Sequence, residues 1–305
     1  MFNLTGKEEW HRLLLTLELS IILNMRKCIF VVINIILSTT SVVCQDNGSF
    51  IRQPHGRNAG SSSVVDTSYI QVYYALCASD IHNDDTYKDY FCFEKGKEIA
   101  KFYSYRWVEA EERNREWART HSIPSGAGLR LVPEGKYNGW SEYQYSEWFI
   151  SKGKLTEYCC FPMWLTRYNS YYEEDYPRQV WSISSDTLRI CGYTCQKATC
   201  NFGGRLFVAW FAPKIPLKYG PWKFGGLPGL ILKVTDKDRI YSFECVKIER
   251  KHKPLMKSEY KSYKKMEKKN VLELQRKIHE DIGSLLGDTE SRTGKTIHYE
   301  PLELK

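Results

Sequence analysis

The spacing of hydrophobic and polar positions changes along this chain, and each change marks an element. Val64 to Ala78, VVDTSYIQVYYALCA, is rich in β-branched and aromatic residues and predicts a strand. Tyr90–Glu94 and Glu98–Ser104 flank Lys95-Gly96-Lys97 and predict a hairpin. From Tyr105 to Thr120 charged and helix-forming residues dominate, which predicts a helix, and residues 121–142 read as a Gly- and Pro-rich loop. Trp148–Gly153 and Lys154–Cys160 predict a second hairpin through Gly153. Glu173, Glu174 and Asp175, flanked by tyrosines and Pro177, read as a solvated loop. Val180–Ser184 reads as a strand, Ser185-Asp186 as a turn, Leu188–Cys191 as a strand, and Tyr193–Asn201 as its continuation past Gly192. Phe202-Gly203-Gly204 turns the chain into Arg205–Phe211. Pro213 and Pro216 end that strand, because proline cannot donate to a ladder. Leu230–Val234 and Ile240–Ile248 are further strands. Lys251–Asp281, with Val271, Leu274 and Ile278 at helical spacing, reads as helix.

Short connections between so many strands imply antiparallel pairing, since parallel pairs need long crossovers. The expected fold is therefore mainly β (α+β): a curved antiparallel sheet meander with one or two helices. The expected organisation is an N-terminal extension and signal peptide over 1–44, a flexible polar leader over 45–63, one β domain over 64–249, and a basic helical tail over 250–305.

Charge and cysteine refine this picture. The formal net charge is +8, but residues 249–280 alone hold eleven Lys or Arg against five Glu. The excess sits in one stretch and the body is near neutral, which argues against a nucleic-acid binder. Met25-Arg26-Lys27 begins a basic region, Cys28–Leu37 is an apolar run too short to span a bilayer, and Ser38–Cys44 offers small residues before Gln45. That pattern predicts a start at Met25, cleavage before Gln45, and export to the periplasm or cell envelope. No transmembrane helix is expected in the mature chain. An exported chain reads its eight remaining cysteines, Cys77, Cys92, Cys159, Cys160, Cys191, Cys195, Cys200 and Cys245, as disulfide candidates without giving their pairing.

Gly192-Tyr193-Thr194-Cys195-Gln196-Lys197-Ala198, Gly204-Arg205, Ala209-Trp210-Phe211, Ile215-Pro216, Gly220-Pro221 and Gly226-Leu227-Pro228-Gly229-Leu230-Ile231 follow one another in that order. Gly96-Lys97 and Lys101-Phe102-Tyr103-Ser104 stand upstream. Together they resemble the GLPGLI (Porph_ging-type) family across Val64 to Glu249. The resemblance implies an exported envelope protein and no particular activity. Cys195 falls on the family's usual cysteine, while Cys191 and Cys200 are additions in this chain.

The stretch GPWKFGGLPGLIL, Gly220–Leu232, poses the main chemical question. It has neither dinucleotide nor P-loop spacing. Pro228-Gly229 suits the middle of a type II turn with positive φ at the glycine. Gly225 and Gly226 suit a bulge or a close backbone approach. A backbone cradle for a ligand is the other reading, with Arg205, Trp210, Trp222, Gly225, Gly226, Leu227, Pro228 and Gly229 as binding candidates. Cys191, Cys195 and Cys200 lie close enough in sequence for a thiol-bound metal, but their spacing lacks the paired knuckles of common zinc sites. No catalytic residue and no cofactor motif stands out, and there is no G-x-S-x-G elbow. The expected function is a non-catalytic envelope module that binds a protein partner or an apolar ligand. A thiol-based metal-handling protein is one alternative; an enzyme whose site assembles only in three dimensions is the other.

Overall fold

The inner face of the sheet is built from rows of large side chains that meet across paired strands. One row runs Val72, Phe93, Phe102, Trp148, Glu157, Tyr172 over six neighbouring strands. Its aromatic members are fully buried, and the Phe91 and Phe102 rings stack with centroids 4.9 Å apart. Side chains alternate between faces along a strand, so Tyr73, Cys92 and Tyr103 form a second cluster on the outer face, with Tyr105 and Val108 packed against it.

The computed structural model describes residues 62–109, 112, 146–161, 163–281, 284–285 and 299–304. Those residues contain β1 (Ser62–Leu76), β2 (Asp89–Gly96), β3 (Ile99–Ser104), β4 (Ser146–Ser151), β5 (Lys154–Cys159) and β6 (Ser170–Asp175). They continue with β7 (Ser182–Ile190), β8 (Tyr193–Phe202), β9 (Arg205–Ala212), β10 (Leu230–Asp236), β11 (Ser242–Glu249), β12 (Lys253–Ser258), β13 (Lys264–Lys265) and helix α1 (Lys268–Glu280). All belong to one sheet apart from α1, in the order β13-β6-β5-β4-β3-β2-β1-β11-β10-β9-β8-β7, with β12 also on β1. Only the short β13–β6 pairing is parallel. The fold is thus mainly β, two antiparallel meanders joined through β1.

The topology forces curvature. β6 and β7 stand ten positions apart in the order, yet six residues, 176–181, connect them. A six-residue connection reaches about 25 Å fully extended, whereas eleven strands laid flat would separate those two by about 48 Å. The sheet therefore curls until β6 and β7 approach each other, and the curled inner face becomes a core.

Three expectations need correction. Glu173, Glu174 and Asp175 are not a solvated loop; they end β6, with Glu174 facing inward. Ser185-Asp186 is not a turn: β7 is one strand with an irregular register between Ile183 and Thr187. The stretch 250–305 is not a helical tail throughout, because Lys253–Ser258 pairs with the first half of β1; the α-helix among the described residues runs over Lys268–Glu280. The helix expected over 105–120 is seen at 105–109. Apart from residue 112, which is also helical, its remainder, the loop 121–142, the signal-like segment and nearly all of the leader lie outside the described residues.

Candidate functional site

The glycine-rich segment is where sequence pattern and structure meet first. Leu230, Ile231 and Leu232 enter β10 fully buried, as three consecutive aliphatics suggest. The residues before them lie against the inner face as a plug: Trp222, Phe224 and Leu227 are 2%, 0% and 1% exposed. Their backbone is held by the β6–β7 connection. The Tyr176 hydroxyl donates to the Phe224 carbonyl at 2.8 Å, the Trp181 indole to the Gly225 carbonyl at 2.8 Å, and Gln179 bridges the Lys223 carbonyl and the Gly225 amide. The backbone read as a possible cradle is itself the thing cradled.

The glycine geometry differs from expectation in one respect. Gly226 carries the positive φ, +86°, and Gly229 does not. Gly229 is demanded by space instead: a Cβ there would sit 2.3 Å from the Ala212 carbonyl oxygen, on rigid backbone.

Lys223, in the middle of the plug, is 1% exposed and organises the charged part of the inner face. Its ammonium lies 2.9 Å from Glu174 on β6 and 2.9 Å from Glu303 near the C-terminus. Lys268, at the first turn of α1, reaches the same two carboxylates at 2.8 and 2.6 Å. Two lysines and two glutamates thus form a closed, charge-neutral quartet. Burial opposes the charge on Lys223, but Glu303, Glu157 and Glu174 outweigh it and raise its pKa. Burial likewise acts against the Glu303 carboxylate, and Lys223 and Lys268 hold it below the usual range.

Glu157 connects this quartet to the aromatic row. It accepts from Ser146, Trp148, Tyr172 and Gln275, at 2.7, 2.8, 2.6 and 3.2 Å. Lys223 in turn donates to the Tyr172 hydroxyl at 2.8 Å. Four donors on one buried carboxylate is what stability requires of such a group.

Arg205 anchors a neighbouring grip. Its guanidinium donates to the Pro301 carbonyl from Nε at 3.0 Å and Nη2 at 2.8 Å, and pairs with Glu300. Tyr241 donates its hydroxyl to the Glu300 carbonyl, and the Leu304 amide donates to the Gly203 carbonyl at 2.6 Å. Gly203 makes room for this segment, since a Cβ there would meet Glu303 Cγ at 2.7 Å. Asp236, 3.8 Å from Arg205, is raised by burial despite the Tyr241 amide and Arg205.

Of the other binding candidates, Trp222 borders the quartet, with the Lys223 ammonium 5.2 Å from its ring. Trp210 does not take part: it lies opposite Lys197 on the other face of β9 from Phe211. Leu227 and Gly225 are buried structure, while Gly226 and Pro228 are exposed. Sequence reasoning missed Lys223, Glu157, Lys268, Tyr241 and the 299–304 segment, and set Glu174 aside as part of a solvated loop.

The thiols do not assemble as expected. All eight described cysteines are free. Cys191 forms the β7–β8 turn, where its thiol donates to the Cys245 carbonyl at 3.0 Å. Contact with Cys245 lowers the Cys191 pKa against the effect of burial. Cys195 and Cys200 sit five residues apart on β8, and burial raises them to about 11 and about 12, away from the thiolate that a metal needs. Among the described residues no three His, Cys, Asp or Glu side chains are arranged to hold a metal ion.

Residues 204–233 match the Porph_ging family model, described as "Protein of unknown function (Porph_ging)". That match covers Arg205, the plug and the start of β10, and it bears out the resemblance read from the motifs. No curated protein matches the chain. Two solved structures are similar, "Structure of PNGF-II in C2 space group" at 12% identity and a TM-score of 0.44, and "Structure of PNGF-II in P21 space group" at 13% and 0.42. Each likeness covers 70% of this chain and 34% of the other, so the chain spans about a third of the length of the structures it matches.

Proposed function

We propose that this protein is an exported, non-catalytic binding module of the cell envelope that holds a protein partner. One observation carries the reading: the inner face holds a non-strand piece of polypeptide, 299–304, through side chains aimed at its carbonyls and carboxylates. That is how a surface recognises a peptide. The groups with the strongest chemistry, Lys223, Glu157 and Tyr172, are buried and joined to one another rather than directed at an open cleft. Trp222, Phe224 and Leu227 fill the place an apolar ligand would take on the inner face, which favours a protein over such a ligand. Export rests on the basic and apolar pattern of Met25–Cys44 and on the family resemblance.

The test uses the full-length protein in its own cells, with a photo-crosslinking amino acid at Phe202, which is half-buried, pairs with Arg205 across the β8–β9 hairpin and packs against Trp222 on the inner face. A discrete adduct in the envelope fraction is expected, stronger when Glu300 and Glu303 are both replaced by Lys to displace the tail. No adduct from either protein would overturn the binding reading. Intact mass tests export separately: the mature chain should begin at Gln45, and retention of residues 26–44 would refute the processing step.

A further inference from the structure

The quartet is neutral only because residue 303 supplies its second carboxylate. Without it, Lys223 and Lys268 would face Glu174 alone, with Glu157 already engaged by four donors. While this face is covered Lys223 is 1% exposed, so its ammonium draws on carboxylates rather than water. The face therefore needs a carboxylate from whatever lies on it. Arg205 adds a second anionic position, and its bifurcated hold on the Pro301 carbonyl selects a chain rather than a free acid. Between the two anchors Leu302 is fully buried.

The segment that fills this face is held to it through side chains, Tyr299 stacking on His279 and donating to Gln275. Residues 299–304 form no strand, and a stretch of thirteen residues, 286–298, separates them from Leu285. The Arg205 end is open, with the Glu300 side chain 33% exposed, and Leu304 is 49% exposed. An incoming chain can compete from there.

We propose that the groove between Arg205, Tyr241, Lys223 and Lys268 is a receptor for an acidic peptide of a partner protein. The peptide carries two carboxylates three residues apart, with a buried aliphatic residue between them, and residues 299–304 occupy its place in cis. This rests on the binding-module reading above and names the partner's chemistry. A proline after the first carboxylate removes no donor that the groove uses. The tail sets a threshold, because a tethered competitor acts at high effective concentration.

The probe is a fluorescent peptide of residues 297–305, Ile-His-Tyr-Glu-Pro-Leu-Glu-Leu-Lys, added to the full-length chain carrying Glu300→Lys and Glu303→Lys. It should bind this variant at least about tenfold more tightly than the wild-type chain, whose tail competes. Replacing both peptide glutamates by glutamine, or adding Arg205→Met to the protein, should weaken binding at least about tenfold, and added salt should weaken it further. If the lysine variant does not fold, a protease site placed within 286–298 of the otherwise wild-type chain lets the cut tail exchange with the probe. Absence of binding by a folded variant, equal binding to wild type, or equal binding of the glutamine peptide would overturn the proposal. If the probe fails while the Phe202 adduct still forms, the acidic-peptide chemistry falls and the binding module stands; if both fail, both fall.

Discussion

Two segments without strand geometry lie on the inner face of this sheet, and they are held by different means. The plug, 220–229, is held by area. Trp222, Phe224 and Leu227 are buried to within 2%, and Tyr176, Gln179 and Trp181 satisfy its backbone. The tail, 299–304, adds charge to burial: Glu300 pairs with Arg205 and Glu303 with two lysines beside the buried Tyr299 and Leu302, and one side remains in solvent. Hydrophobic burial does not depend on salt or on protonation in the way that ion pairs do. The plug is thus part of the fold, while the tail is docked onto it. Lys223 belongs to both, since it lies in the plug and bonds the tail.

Lys223→Met breaks that shared point and should have the largest effect. It keeps most of the aliphatic stem but leaves Glu303 and Glu174 without their buried partner, at a cost of about 3–5 kcal/mol. Adding Glu303→Gln should recover part of the loss, because one of the stranded charges is removed. Denaturant unfolding of the single and double variants measures both, and additive losses would show that the two groups are not coupled.

Gly229→Val attacks the plug alone. The new side chain meets the Ala212 backbone, which cannot rotate away, so about 3 kcal/mol or more should be lost. The cause is space rather than a left-handed backbone, so Gly229→Ala should also destabilise strongly. An alanine variant as stable as wild type in a thermal melt would refute the close approach at Ala212.

How much of this was legible differs between the two segments for a physical reason. The β10 strand followed from three consecutive aliphatics, and the meander from short turns, because both signals are local. Within β5 the inward face could also be read, since Leu155, Glu157 and Cys159 share it by alternation. A carboxylate on an apolar face demands a partner, but its donors come from β4, β6 and α1. In β6 the acidic run hid the alternation of Tyr172 and Glu174 with Tyr171 and Glu173. In β12 the lysines resembled a solvated helix, although Leu255 points into the core. The Lys223–Glu303 pair joins residues 80 apart, and no local pattern signals it.

Acid should sharpen the contrast. Burial acts to raise the Glu303 pKa, but Lys223 and Lys268 hold it below the usual range; Glu174 and Glu157 also face Lys223. A carboxyl lowered on folding adds stability above its unfolded pKa, and that gain is lost as pH falls through the folded value. The tail contribution should therefore be complete near neutrality and fade below about pH 4. Wild type and Glu303→Gln, compared by melts at successive pH values, should converge in acid. A constant gap down to the lowest pH would show that Glu303 does not hold the tail by its charge.

The smallest effect tests the docking idea most directly. Ile231 in β10 and Leu302 in the tail are equally buried, each at 0% exposure. If burial alone set the cost, truncation of either to alanine would destabilise alike. Ile231→Ala leaves a cavity in a core that must unfold as a whole, and should cost about 2–5 kcal/mol. Leu302→Ala has an escape, because a weakened tail can leave by a local opening that spares the sheet, so its global cost should be only about 1 kcal/mol or less. The loss should appear instead as faster proteolysis of the C-terminal segment and faster exchange of the Leu304 amide, with β10 still protected. Equal global destabilisation by the two substitutions would mean that 299–304 is ordinary core and that the contrast between plug and tail does not hold.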